Sequence, residues 1–260
     1  MKFLILALIL TVGSLASVSS FAEGDSSDLR VLFVGNSITG FNNTPGLFRE
    51  LASELGHKPY VEVSIKFGKT LGDQLADPVF VTTLKSKPWD FVVLQEYSSL
   101  PVTDTQSFLA HVQAVKNILG AKPTKIVLFE NWIQAGQRTR TIQSVAQVFA
   151  KVSKLTHTSV VRVGEAFTHA ADRTEIGMYQ DDWHPTPIAS YLATLMFLKY
   201  FYAVNPSLVA HTGANKNTAD VTNGEASAAS LIPLDTVYTP TDVSIIQATA
   251  AAYSAKSSSK

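Results

Sequence analysis

A serine hydroxyl is a poor nucleophile until a neighbouring base takes its proton, and a histidine held by a carboxylate is the usual base. The chain supplies these residue types at two distant places: Gly35-Asn36-Ser37 ends an apolar run, and Asp181-Asp182-Trp183-His184 precedes Pro185. Asp181 stands three residues before His184, close enough on a turn to reach a ring nitrogen. Asp182 is a substitute orienter whose side chain should point elsewhere. The other histidines (His57, His111, His157, His169 and His211) have no such carboxylate beside them in the chain. A serine between a strand and a helix can also lend its own N–H to an oxyanion, where a helix N-terminus favours negative charge. Taken singly, the first cluster also reads as a plain turn, and the second as a helix cap with a surface histidine.

Two further clusters could complete the chemistry. Gly68 follows an alternating apolar segment and could bring a backbone N–H close to a ligand; it also reads as a turn glycine. Gly68-Lys69-Thr70 mimics the end of a phosphate-binding loop, but the glycine needed five positions earlier is Val63, which argues against nucleotide binding. Gln95-Glu96-Tyr97-Ser98 follows another apolar run, and the Gln95 amide could donate to an oxyanion. The same residues could instead only satisfy loop backbone. Near these clusters stand Asn36, Phe41, Asn42, Asn43, Tyr97, Asn131, Trp132 and Trp183. Aromatics and amides beside a reactive serine suit a sugar, and equally suit loop packing.

The elements that must position these residues alternate. Apolar runs at Arg30–Gly35, Tyr60–Ile65, Trp89–Leu94, Lys125–Phe129 and Ser159–Val163 read as strands. Helical spacing marks Pro45–Leu55 with Gly56 at its end, Thr103–Leu119 with Thr105 as a cap, Thr141–Leu155, and Thr186–Tyr202, which opens on two prolines. Leu71–Leu84 is less clear because Pro78 interrupts it. Such alternation argues for a three-layer α/β/α domain with a mostly parallel five-stranded sheet, its reactive groups beyond the C-terminal strand ends. One domain over 28–255 is expected, with a core at about 30–204. An irregular excursion over 205–240, a last helix over 241–253 capped by Thr241, and a disordered tail over 254–260 complete it.

Composition narrows the class. The 260 residues hold 46% apolar and 16% charged side chains, enough for one large core. Twenty-one basic residues balance 21 acidic ones without a basic stripe, which argues against nucleic acid as a partner. Lys2, the apolar run Phe3–Val12 and the small residues of Ser20-Phe21-Ala22 read as a signal peptide cleaved after Ala22, giving a secreted or periplasmic protein. The run is shorter than the roughly 20 residues of a membrane span. With no cysteine, neither disulfides nor a Cys/Cys metal site within the chain can form.

In this order, the four clusters resemble the SGNH (GDSL-like) hydrolase superfamily. Its serine block matches Gly35-Asn36-Ser37, with Asn in place of the common Asp; its glycine block matches Gly68; its late D-x-x-H matches Asp181 and His184. The segments V-L-F-V-G-N-S-I-T, W-D-F-V-V-L-Q-E and D-x-x-H-P-T look like a bacterial secreted branch with a G-N-S serine block. The likeness covers about Arg30 to Tyr202. It implies a flavodoxin-like SGNH fold and a Ser37–His184–Asp181 triad. It further implies an oxyanion hole from the N–H groups of Ser37 and Gly68, and ester hydrolysis without cofactor or metal. The third block departs: where the family reads G-x-N-D, this chain has Leu94-Gln95-Glu96-Tyr97-Ser98, so Gln95 is expected to replace the Asn donor. No G-x-S-x-G is present, which excludes the ordinary α/β-hydrolase elbow. The expected substrate is an O-acetyl or similar small ester on a carbohydrate. A lipid or aryl ester is the alternative among enzymes, and a catalytically silent glycan-binding protein the alternative outside them.

Overall fold

The computed structural model describes residues 28–136, 142–214, 223–253 and 256–257. The signal-peptide segment, most of the tail and the middle of the excursion lie outside the described residues.

Five strands form the parallel heart of the sheet: β1 (Leu29–Gly35), β2 (Pro59–Ile65), β3 (Phe91–Leu94), β4 (Lys125–Phe129) and β5 (Ser159–Val161). Their spatial order is β2-β1-β3-β4-β5. β1 lies between β2 and β3, in register with both, so the chain leaves it toward opposite sides. That reversal opens a crevice at the carboxyl ends of the strands, the usual ligand position in such sheets. Alternation along β1 feeds two cores. Val31 and Phe33 join one, and Leu32 and Val34 the other, all fully buried.

The first face carries α2 (Thr44–Glu54), α8 (Val163–Arg173), α9 (Pro187–Tyr202) and α10 (Pro240–Ala252). The second carries α3 (Leu71–Leu75), α4 (Pro78–Ser86), α6 (Thr105–Leu119) and α7 (Ile142–Thr156). Two single turns, α1 (Ser37–Gly40) and α5 (Leu100–Thr103), sit at strand ends. α9 is apolar almost all round and is covered accordingly, with Phe197 meeting the rings of Phe33, Phe129 and Phe201.

The sheet is wider than the five strands expected. β7 (Asn223–Glu225) joins β2 and β9 (Lys256–Ser257) joins β5, both antiparallel. Within the excursion, β6 (Thr212–Ala214) and β8 (Leu231–Pro233) also pair. Helix starts differ in detail. Asp104, not Thr105, caps α6, its carboxylate accepting the Ser107 N–H at 3.0 Å. Thr239, not Thr241, caps α10 in a reciprocal box with Asp242, leaving Pro240 in the first turn. Pro78 splits the ambiguous segment into α3 and α4, with Asp77 capping the second. Helix α8 was not expected from sequence. It starts directly after β5 with no side-chain cap and a glycine in its first turn.

Truncating Phe197 to Ala removes a fully buried ring from the largest core. The expected loss is about 3–5 kcal/mol of unfolding free energy, measured by urea titration. A loss below about 1 kcal/mol would contradict the packing described.

Candidate active site

Gly35 ends β1 against two side chains. A Cβ there would meet Thr39 Oγ1 at 2.5 Å and Gln95 Oε1 at 2.8 Å, so only glycine fits. The chain then turns sharply, and the Asn36 side-chain oxygen caps α1 by accepting the Ile38 N–H at 3.1 Å. Its amide donates to the Lys69 carbonyl at 3.1 Å, which ties the serine turn to the loop after β2. Ser37 is the first residue of α1, partly exposed at the crevice.

The histidine arrives on a tight loop. Tyr179 bridges Pro185, and the Gln180 N–H donates to the His184 carbonyl at 2.8 Å. Asp181 organises this loop: Oδ1 accepts the N–H groups of Trp183 (2.9 Å) and His184 (2.8 Å), while Oδ2 lies 2.7 Å from His184 Nδ1. On the other side of the ring, Nε2 lies 3.0 Å from Ser37 Oγ. Serine, histidine and aspartate therefore form one continuous hydrogen-bonded chain. Asp182 faces away: its carbonyl accepts the Ala135 N–H at 2.9 Å, and its carboxylate the Gln134 amide at 3.3 Å.

Phe41 and Asn42 hold the imidazole and the loop behind it. The Phe41 ring stacks on the imidazole, centroids 3.9 Å apart and planes 9° off parallel. The buried Asn42 amide donates to the Pro185 carbonyl at 2.8 Å and to Ser190 Oγ at 2.9 Å. Asn42 and Asn43 both adopt left-handed backbone, a conformation asparagine tolerates better than most residues. Their side chains are spent on the frame and do not reach the crevice.

Gly68 lies in the loop after β2, which the Asn36 amide ties to the serine turn. It takes φ +70° in a turn closed by the Lys69 N–H on the Lys66 carbonyl (3.2 Å). A positive φ at the third turn position explains the glycine, and that turn does not itself use the Gly68 N–H. The exposed Phe67 beside it packs toward Phe41, ring centroids 6.0 Å apart.

Gln95 is turned inward, contrary to expectation. It is 1% exposed, and its oxygen accepts from Asn36 N (3.0 Å) and Thr39 Oγ1 (3.1 Å). Its amide donates to the Glu96 carbonyl. It braces the serine turn from beneath, its oxygen committed to Asn36 and Thr39. Three expected substrate contacts are likewise absorbed. Asn36 is buried as the cap described above. Asn131 is buried and donates to the carbonyls of Glu96 (2.9 Å) and Ser98 (3.0 Å). Trp132 is buried, stacked on Phe167 at 4.2 Å, and donates to the Trp183 carbonyl at 2.9 Å. Tyr97, 40% exposed, and the half-buried Trp183 remain open to the crevice side. Trp183 borders a small pocket of about 30 Å³ with Ser98, Val102, Ile133, Gln134 and Val145.

The fold gives three other histidines carboxylate partners that the sequence did not reveal: His57 with Asp28, His111 with Glu96, and His211 with Asp235. None of these three pairs includes a serine hydroxyl. Among the described residues, no cluster of His, Asp and Glu is arranged to hold a metal ion.

Searches by sequence against protein-family models and curated proteins find no match. Solved structures do match. A protein of Slackia heliotrinireducens assigned to the SGNH hydrolases aligns at TM-score 0.56 and 24% identity, over 66% of this chain and 97% of that one. A DUF4886-family protein of Bacteroides uniformis aligns at TM-score 0.64 and 16% identity, over 86% and 93%. Axe2, an acetylxylan esterase of Geobacillus stearothermophilus, aligns at TM-score 0.53 and 16% identity, over 66% and 94%. The chain has the SGNH hydrolase fold. The serine turn, the glycine turn and the Gln95–Ser98 segment follow the C-terminal ends of β1, β2 and β3.

Burial raises the pKa of the Asp181 carboxyl, but the N–H groups of His184 and Trp183 and the His184 ring outweigh it and hold it at about 2. Ionised Asp181 therefore stabilises the loop above the ordinary value of 3.8, and that contribution is lost as pH falls toward about 2. The side chain is 52% exposed, so the effect is modest. Calorimetry should find Asp181→Asn melting below wild type at about pH 5, with the gap closing by about pH 2. A gap that widens on acidification would contradict this assignment.

Proposed function

We propose that the chain is a serine esterase that removes a small acyl group, acetyl above all, from a carbohydrate. The observation that carries this reading is the unbroken line from Ser37 Oγ through the His184 ring to Asp181. His184 Nε2 takes the Ser37 proton as Oγ bonds to the ester carbonyl carbon. The oxyanion is met by the N–H groups of Ser37 and Gly68. The imidazolium, held by Asp181 and faced by Phe41, returns the proton to the departing alcohol oxygen. Water then attacks the acyl-enzyme, His184 again accepting the proton, and the carboxylic acid leaves with Ser37 restored.

The carbohydrate half of the reading draws support from the exposed rings of Phe67 and Tyr97 and the partly exposed Trp183 around the serine. The relative Axe2, an acetylxylan esterase, supports it too. The N-terminal signal pattern supports action after export, in the periplasm or outside the cell.

Ser37→Ala and His184→Ala should each lower p-nitrophenyl acetate turnover by at least about 10³-fold, with melting temperature nearly unchanged. Asp181→Asn should lose about 10³- to 10⁴-fold, and Asp182→Asn less than about threefold, since its carboxylate serves only a loop. Full activity in Ser37→Ala would overturn the assignment. The reverse order of the two aspartates would move the orienting carboxylate. Release of acetate from acetylated xylo-oligosaccharides, measured against aryl acetates and long-chain esters, tests the substrate class. A preference for long chains would overturn it. Binding of such sugars without any acetate release would favour a silent glycan-binding protein.

A further inference from the structure

Glu96 is a carboxyl side chain where the fold has no obvious need of one. It stands just beyond β3 and is wholly buried. Taking a carboxylate out of water costs several kcal/mol unless hydrogen bonds replace its hydration. Here the replacement has a particular distribution. Oε1 accepts the N–H groups of Leu71 (3.0 Å) and Tyr97 (2.7 Å), and Oε2 lies 2.7 Å from His111 Nδ1. The residue's own carbonyl accepts the amides of Gln95 and Asn131. Glu96 is therefore fixed from below by side chains and fixes backbone on both sides.

The two N–H groups belong to different loops. Leu71 opens α3 three residues after Gly68, and Tyr97 is the third residue of the loop after β3. The Gly68 turn is thus pinned twice, by Asn36 at the Lys69 carbonyl and by Glu96 at the Leu71 N–H. We propose that Glu96 is a positioning residue for the oxyanion hole, its Oε1 setting the height of the Gly68 N–H above the sheet and holding Tyr97 at the rim of the crevice. The inference rests on the esterase reading of Ser37. It also accounts for the altered third block: with Gln95 turned inward, that block contributes by bracing the two backbone donors.

The position of Oε1 is what the proposal turns on, and variants can separate it from charge. Glu96→Asp keeps the carboxyl and shortens the reach by one methylene. Glu96→Gln keeps the reach and an oxygen for both N–H groups. Leu71→Pro deletes one of the two N–H groups at a first-turn position that tolerates proline, after an extended Thr70 that suits it.

Three measurements are made on p-nitrophenyl acetate and phenylboronic acid: kcat, KM, and the inhibition constant of the boronate, whose tetrahedral adduct places an oxygen in the oxyanion position. Glu96→Asp and Leu71→Pro should lower kcat by about 10- to 100-fold, less than outright removal of a donor. KM should stay within about twofold, and boronate affinity should weaken in step with kcat/KM. Glu96→Gln should restore most of both. Equal losses in Glu96→Gln and Glu96→Asp would overturn the proposal, as would a fall in melting temperature with boronate affinity unchanged. Should Glu96→Asp fail to fold, Leu71→Pro and Glu96→Gln decide by the same two readouts. A wild-type protein that neither turns over ester nor binds boronate fails the esterase reading instead, so the two failures are distinct.

Discussion

The hydrogen bond between Ser37 and His184 joins residues 147 positions apart in the chain, and the larger features of the fold hold its two ends. A bond of this kind works only when both partners are fixed to within a few tenths of an ångström, because neither can search for the other during reaction. The serine end is fixed by β1, in the middle of the sheet, with Gly35 pressed against Thr39 and Gln95. The histidine end is fixed by Asp181, by the face of Phe41 and by the entry to α9. Asn42 ties the two ends directly, donating to Pro185 and Ser190 from the segment that follows the serine.

Beneath the reactive groups lies a layer of buried polar side chains, Gln74, Gln95, Glu96 and Asn131, that satisfies the backbone where the parallel strands end. Gln74 donates to the carbonyls of Gly35 and Ser64, both at 2.9 Å, and so closes β1 against β2. Such networks are costly when half satisfied and rigid when complete. Their position under the loops, away from the crevice itself, explains why several amides that look solvent-facing in the sequence are in fact structural.

The sheet was legible in the sequence because it rests on local signals, whereas the pairing of Ser37 with His184 was expected only from the order of the four clusters, each of which alone also reads as a turn or a cap. Apolar runs marked the five parallel strands, and the Asp-x-x-His spacing is a turn geometry that needs no distant partner. What was not legible depends on contacts across the fold. Gln95 reads as a crevice donor until its neighbours, Thr39 and Asn36, are seen to claim its oxygen. His111 appears partnerless because Glu96 reaches it only after β3 and α6 pack. β7 and β9 are too short to show periodicity, and α8 lacked a cap to announce it. The departure at the third block was visible as an unusual sequence, but the burial of Gln95 and Glu96 beneath the loops depends on packing across the fold.

We propose Ser37 as an activated nucleophile with His184 as its base. A fluorophosphonate probe reads this most directly, since only a serine hydroxyl whose proton is being removed attacks the phosphorus at a useful rate. Intact-mass and peptide mass spectrometry of the treated protein should show one adduct, on the peptide carrying Ser37, and none in His184→Ala. Absence of an adduct in the wild-type protein, or an adduct on another residue, would contradict the account.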